Sequence, residues 1–177
     1  MFKWKDVKKI KLEKGKLYFI EEEFIKKYGE KYNIMQNKET THRPCYYCFR
    51  DKKEKEIIWF VPMSSKYDKY LEIYNKKVMK YGKCYNYVFD TLIGKKQVFL
   101  IQNMFPTLEK YIKEKYIKDK KDVFVPKKKQ NEIIFNAINI ISMAFQQNVD
   151  ITFTNIVEFY NEIYKELNLW KLKTGLI

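Results

Sequence analysis

Histidine and arginine are almost missing from this chain of 177 residues, which has one His and, among 36 basic residues, two arginines, Arg43 and Arg50. Such rarity singles out His42 and Arg43 as candidates for a role. Glycine and proline are scarce, at 5 and 4, and no Gly/Ser linker, internal repeat or low-complexity segment divides the chain. One domain over residues 1–177 is expected. No run of about 18 apolar residues is present, and Met1 to Asp6 lack the apolar segment of a secretory signal. A cytoplasmic protein without a membrane partner is therefore expected. Three cysteines, an odd number, argue for reduced thiols over a disulfide framework. Cys45 and Cys48 spell C-x-x-C, and with His42 and Cys84 they suggest a Cys3His zinc site. On an extended strand, however, side chains three apart point to opposite faces, so these are expected to be packing cysteines. No H-E-x-x-H, Walker loop, G-x-G-x-x-G or triad signal is present, and carboxylates do not cluster as a two-metal nuclease requires. No metal and no cofactor are expected.

Positive charge is what the chain has in excess: 36 Lys and Arg against 22 Asp and Glu leave a net charge of +14. Each phosphate neutralised by such a surface releases condensed counterions, which favours a polyanionic partner. The 15 Tyr and 13 Phe lie among the lysines, where bases could stack on them. An AT-rich genome enriches Lys, Ile, Tyr, Phe and Asn together, so composition alone does not select RNA. A hydrophobic content of 46% is enough for a sizeable core.

Periodicity predicts a strand over Lys16 to Ile20 and a helix over about Glu21 to Lys31, with Phe24, Ile25 and Tyr28 on one face. Arg43 to Phe49 and Glu56 to Val61 form a hairpin pattern around the charged loop from Asp51 to Lys55. From Tyr67 to Tyr81 the apolar positions recur at helical spacing. A second hairpin follows, with a turn near Ile93-Gly94-Lys95 and a return strand from Gln97 to Ile101. Thr107 or its neighbour can cap a helix carrying Leu108, Tyr111, Ile112 and Tyr116, which Asp119 to Asp122 ends. Val123 to Val125 reads as a short strand. Ile134, Ala137, Ile138, Ile141 and Phe145, widened by Ile133, Phe135 and Ile140, predict a helix largely buried all round. Asn155 with Glu158 resembles an N-cap and its N3 acid, opening a last helix.

The corner Pro62-Met63-Ser64-Ser65-Lys66-Tyr67-Asp68 is where chemistry is expected. It ends a strand and opens a helix, whose unpaired N–H groups and dipole favour an anion, and it supplies two hydroxyls and an ammonium. A plain alternative is that Ser65 with Asp68 is a capping pair. Arg43 offers a planar fork to phosphate, and His42 can act as acid or base near neutral pH. Alternatively, both sit on a solvated loop after Thr40-Thr41.

The order of strand, helix, R-P-C-Y-Y-C-F hairpin, V-P-M-S-S-K corner, long helix, second hairpin and I-Q-N-M-F-P-T resembles the ToxN/AbiQ endoribonuclease toxins of type III toxin–antitoxin systems, most closely their CptN branch. The resemblance covers about Lys16 to Ile117 and rests on Arg43-Pro44, Pro62 to Lys66 and Gln102-Asn103-Met104. It implies an α+β fold, a strongly bent antiparallel SH3-like barrel of the MazF and Kid kind elaborated with α-helices. It also implies metal-independent cutting of single-stranded, often adenine-rich cellular or phage RNA to 2′,3′-cyclic phosphate and 5′-hydroxyl ends. The implied partner is a pseudoknot antitoxin RNA that the toxin processes from a repeat precursor and with which it forms a hetero-oligomer.

By position, the resemblance makes Arg43, Ser64, Ser65 and Lys66 the catalytic candidates. In some relatives the lysine falls where this chain has Tyr67, and a first-helix tyrosine corresponds to Phe24, with Tyr28 one turn on. His42 or Lys66 would handle protons. Tyr18, Trp59 and Tyr85 are candidates for base stacking. Lys69 is a further RNA-binding candidate, and Asn103 is either a loop former or a base reader. The basic tract from Lys113 to Lys129, with Lys113, Lys115, Lys118, Lys127 and Lys128, is expected to edge a groove for antitoxin or substrate. The competing class is a non-catalytic nucleic-acid-binding module in which the serines only cap a helix.

Overall fold

Alternating side chains build the centre of the fold. Strand β2 (Cys45–Arg50) sends Cys45 and Tyr47 into one apolar cluster and Tyr46 and Cys48 into another, and β3 (Ile57–Ser64) divides Phe60 from Trp59 and Val61 in the same way. The computed structural model describes residues 10–37 and 42–175. Expectations for Met1 to Asp6 and for Thr40-Thr41 lie outside them.

Strands β1 (Leu17–Ile20), β4 (Tyr87–Leu92), β5 (Lys95–Leu100), β6 (Phe105–Leu108) and β7 (Ile112–Lys115) complete a seven-stranded antiparallel sheet. Its order is β4-β5-β3-β2-β1-β7, with β6 also paired to β3. β5 and β6 serve successive lengths of β3: Val98 and Phe99 face Ser64 and Met63, while Phe105 to Leu108 face Phe60 to Ile57. The 3-10 turn Ile101–Asn103 separates them. A hairpin turn at Ile93 and Gly94, both at positive φ (52° and 68°), joins β4 to β5, as a two-residue type I′ turn requires.

Connectivity forces this sheet to roll. β6 and β7 lie on opposite sides of β3, β2 and β1, roughly 19 Å apart if the sheet were flat. The chain joins them through the 3-10 turn Glu109–Tyr111, and the steps from Leu108 to Ile112 reach only about 14 Å at full extension. No strand pair links β6 to β7 among the described residues, so the sheet is bent but open, and the expected barrel is not closed.

Helices cover both faces. α1 (Glu22–Tyr28) and α4 (Ile156–Thr174) bury Phe24, Tyr28, Phe159 and Ile163 against one face, and α3 (Lys127–Gln146) buries Ile133, Ala137 and Ile140 against the other. Each buried Phe or Ile among them contributes about 1.5–3 kcal/mol. α2 (Tyr67–Tyr81) buries no residue completely. It lies on the β4–β5 hairpin through Tyr70 on Tyr87 and Tyr74 on Phe89. No helix among the described residues is long and apolar enough to cross a membrane.

Three further expectations need correction. The segment expected to be a helix from Thr107 is strand, 3-10 turn and strand, followed by a small ribbon of β8 (Ile117–Lys118) and β9 (Lys121–Asp122). The open edges of β3 and β1 supply backbone partners, Ile57 to Leu108 and Ile20 to Ile112, which outweigh a local helical spacing. α3 is only half covered, with Phe135 and Ile138 60% and 54% exposed. Val123 to Val125 alternates between buried and exposed but pairs with no strand among the described residues.

Gly15 anchors the start of β1, where its carbonyl accepts the Val125 N–H at 2.8 Å. Its φ is +83°, and an added Cβ would come within 2.5 Å of the Gln130 amide and 2.6 Å of the Phe124 ring. Gly15→Ala is expected to cost about 1–3 kcal/mol, read as a lower urea midpoint. An unchanged midpoint would contradict this packing.

Candidate functional site at the end of strand β3

β3 stops at Ser64 and α2 starts at Tyr67, so Ser65 and Lys66 form the bend. The Ser64 hydroxyl, in a residue only 6% exposed, accepts the Lys66 N–H at 3.2 Å, while Ser65 and Lys66 are exposed. The capping pair Ser65–Asp68 does not form: Lys66 occupies the N-cap position, and no side chain caps the helix. Among the described residues the first-turn N–H groups of α2 have no side-chain acceptor, and they lie beside an exposed hydroxyl and an exposed ammonium. Lys96 is a cation that sequence reading missed; it stands over the Tyr67 ring at 5.2 Å. Only the β3–β5 pairing brings it to the bend.

Cys45 pairs with Pro62, so Arg43, two residues earlier, and Ser64, two residues later, belong to the same end of the β2–β3 pair. The Arg43 N–H donates to the Asn37 side-chain oxygen at 2.8 Å, and its Nε donates to the Gln36 carbonyl at 3.0 Å. Arg43 also lines a small apolar cavity with Ile20, Ile25, Cys45 and Pro62, with room for about a single water. That cavity belongs to the core and does not hold a nucleotide. His42 turns toward α1: Nδ1 is 3.1 Å from the Asn37 amide, Nε2 is 3.9 Å from the Glu22 carboxylate, and the ring meets Phe19 edge-on. No hydrogen bond or ion pair links His42 to Ser64, Ser65 or Lys66 among the described residues.

Tyr18 and Trp59 are 0% exposed, so neither ring offers a face to a base. The Tyr18 oxygen accepts the Glu13 N–H at 2.8 Å, and the Trp59 indole N–H donates to the Asp51 carboxylate at 3.1 Å. Both are core aromatics with a satisfied polar end. Tyr85 is half-buried, with the Lys83 ammonium 5.3 Å from its ring centre. Asn103 is half-buried in the 3-10 turn. Lys69, Lys113, Lys127 and Lys128 are exposed and Lys118 is half-buried, whereas Lys115 is held by Glu13 and Asp122 at 3.2 and 3.0 Å.

Tyr28 is no free phenol; it is buried, and its hydroxyl donates to Glu166. Phe24 sits wholly in the core. Cys45 and Cys48 face opposite clusters, and burial pushes the Cys45 thiol up to about 12 and the Cys48 thiol up as well. No group of three metal-binding side chains is found among the described residues.

No protein-family model matches the sequence, and no curated protein matches it. Solved structures do. ToxN, a bacterial type III toxin selectively inhibited by a non-coding RNA pseudoknot, superposes with a TM-score of 0.64 at 16% identity, covering 87% of this chain and 98% of its own. AbiQ, a lactococcal anti-phage endoribonuclease of a type III toxin–antitoxin system, superposes with a TM-score of 0.57 at 11% identity, covering 86% and 98%. At these identities what is shared is the fold: the chain has the architecture of the type III toxins ToxN and AbiQ.

Proposed function

We propose that this protein is the toxin of a type III toxin–antitoxin system, an endoribonuclease acting as one domain in the cytoplasm and held inactive by a pseudoknot RNA. The observation that carries the reading is a fold shared over 87% of the chain with ToxN and 86% with AbiQ, each nearly whole at 98%. The rolled sheet and the net charge of +14 support it. In this reading the open sheet is a variant of the SH3-like barrel of MazF and Kid, and the substrate is single-stranded, adenine-rich cellular or phage RNA. The toxin processes its own antitoxin from a repeat precursor and closes with it into a hetero-oligomer, which serves phage defence.

The proposed chemistry is transesterification. The ribose 2′-oxygen attacks the adjacent phosphorus in line and loses its proton to a base; the bond to the 5′-oxygen breaks, and that oxygen takes up a proton. The products are a 2′,3′-cyclic phosphate and a 5′-hydroxyl, with no metal required. Ser65 and the uncapped N–H groups of α2 would hold a non-bridging oxygen, and Lys66 and Arg43 would offset the charge that develops on the phosphorane. Ser64 would shape the bend through its bond to the Lys66 N–H. Lys66 stands at the bend as the proton-handling candidate, while His42 would need to turn away from Glu22 and Asn37 to reach it.

Incubating the purified protein with single-stranded RNA in EDTA tests this reading. Cleavage is expected, with products that accept a 5′ phosphate from a kinase without prior phosphatase treatment and resist 3′ ligation. RNA that is bound but stays intact would favour the non-catalytic binding module instead.

A further inference from the structure

We propose that α2 and the β4–β5 hairpin form a track for a single-stranded polynucleotide that continues from the bend at Ser64–Lys66. The proposal deepens the reading above and rests on it for the choice of partner. α2 is 15 residues long yet buries none of them fully, so a helix of about 22 Å lies along the surface with one side on the hairpin. Lys66, Lys69, Lys77, Lys80, Lys83 and Lys96 occupy this unit, and none is paired to a carboxylate among the described residues. Elsewhere Lys16, Lys31, Lys110 and Lys171 are paired, while Lys52, Lys53 and Lys55 of the β2–β3 loop have no carboxylate partner among the described residues, which suits them as a charge-matched control. Lys76, tied to Glu72, is the exception on this helix. The acids of α2, Asp68 and Glu72, fall by helical geometry roughly opposite the side that meets the hairpin tyrosines.

The lysines are also matched with rings. The ammonium of Lys96 lies 5.2 Å from the Tyr67 ring, Lys77 5.8 Å from Tyr87, Lys83 5.3 Å from Tyr85 and Lys80 5.0 Å from Tyr81. A nucleotide carries the complementary pairing, an anion with a flat π surface beside it. Ammonium groups repeating beside aromatic rings along a surface are the chemistry that holds unpaired strands without reading their sequence. A duplex, with its bases stacked inside, could use only the charges. A track of this length takes on the order of 4 nucleotides, the low end for a single-strand binding fold. The distal end, at Lys77, Lys80, Lys83 and Tyr81, lies at the far end of α2 from the bend and is available for a strand that has passed it.

Fluorescence anisotropy with a labelled oligodeoxyadenylate of about 12 nucleotides tests the track. That probe has no 2′-oxygen, so binding is read without cleavage. Substituting Lys77→Gln, Lys80→Gln and Lys83→Gln together should lower the slope of log K against log salt by about 2 and weaken binding up to roughly a hundredfold near 0.1 M salt. Tyr81→Ala, at a ring 62% exposed, should weaken it by roughly tenfold. The control triple Lys52→Gln, Lys53→Gln and Lys55→Gln in the β2–β3 loop removes equal charge and should change binding far less. Equal losses from both triples, or tighter binding of duplex or of anionic phospholipid vesicles than of the strand, would overturn the track. Strand binding that follows these expectations in a protein that leaves RNA uncut would sink the nuclease and spare the track.

Discussion

Replacing Glu166 with alanine is expected to destabilise the protein by about 3–5 kcal/mol, the cost of breaking a buried ion pair from one side. Glu166, on α4, accepts hydrogen bonds from Tyr28, Lys110 and Tyr111 and lies 3.1 Å from the Lys27 ammonium. It thereby ties α4 to α1 and to the turn between β6 and β7, where the rolled sheet is joined. Burial by itself would raise this carboxyl. The bonds from Lys110, Tyr111 and Tyr28 and the Lys110 charge overcome burial and hold it down at about 2, from 4.5. Because the folded value is the depressed one, the contribution is fully present above about pH 4.5 and is lost as pH falls through about 2. It amounts to about 3 kcal/mol at neutral pH. Urea unfolding at pH 7 and pH 3 reads it: the wild type should lose stability on acidification, and Glu166→Gln should be weaker at pH 7 and flatter with pH. Parallel pH curves for the two proteins would remove Glu166 from this role.

Ser65→Ala and Lys66→Ala are each expected to lower kcat/KM for RNA cleavage about a hundredfold or more, roughly 2.7 kcal/mol of transition-state stabilisation. Both side chains are exposed, and neither makes a side-chain hydrogen bond or ion pair among the described residues, so circular dichroism and the urea midpoint should not move. Ser64→Ala is different. It takes the acceptor from the Lys66 N–H, so it should lower activity and also shift the midpoint, by about 1 kcal/mol. Full activity in both the Ser65 and Lys66 variants would end the assignment of the bend as the catalytic centre.

The bend itself was legible in the residues. Its strand alternation, its two serines and the apolar spacing from Tyr67 all lie within a few residues of one another. α2 begins at Tyr67 and ends at Tyr81 as the spacing predicts, and Ile93-Gly94 turns the second hairpin. What was not legible is which aromatic faces water. Tyr18, Trp59 and Tyr85 look alike as half-polar rings in a basic chain, yet the first two lie wholly within the two clusters. The capping reading of Ser65–Asp68 failed for a related reason: Ser64 still pairs with Val98 in the sheet, and Lys66, one residue after Ser65, takes the N-cap position.

Composition and local periodicity by themselves determined the basic character of the chain, the amphipathic helices and the hydroxyl-rich bend, because charge and repeat length are properties of neighbouring residues. Tertiary structure alone decided that the segment from Phe105 to Lys115 became strands and that the sheet rolled. It also placed Lys96 beside the bend, sent His42 toward Glu22 and made Glu166 the acceptor for α1 and for the turn between β6 and β7. Each of these depends on backbone or side-chain partners distant in the chain, and a residue's free energy there is set by what the fold brings opposite it.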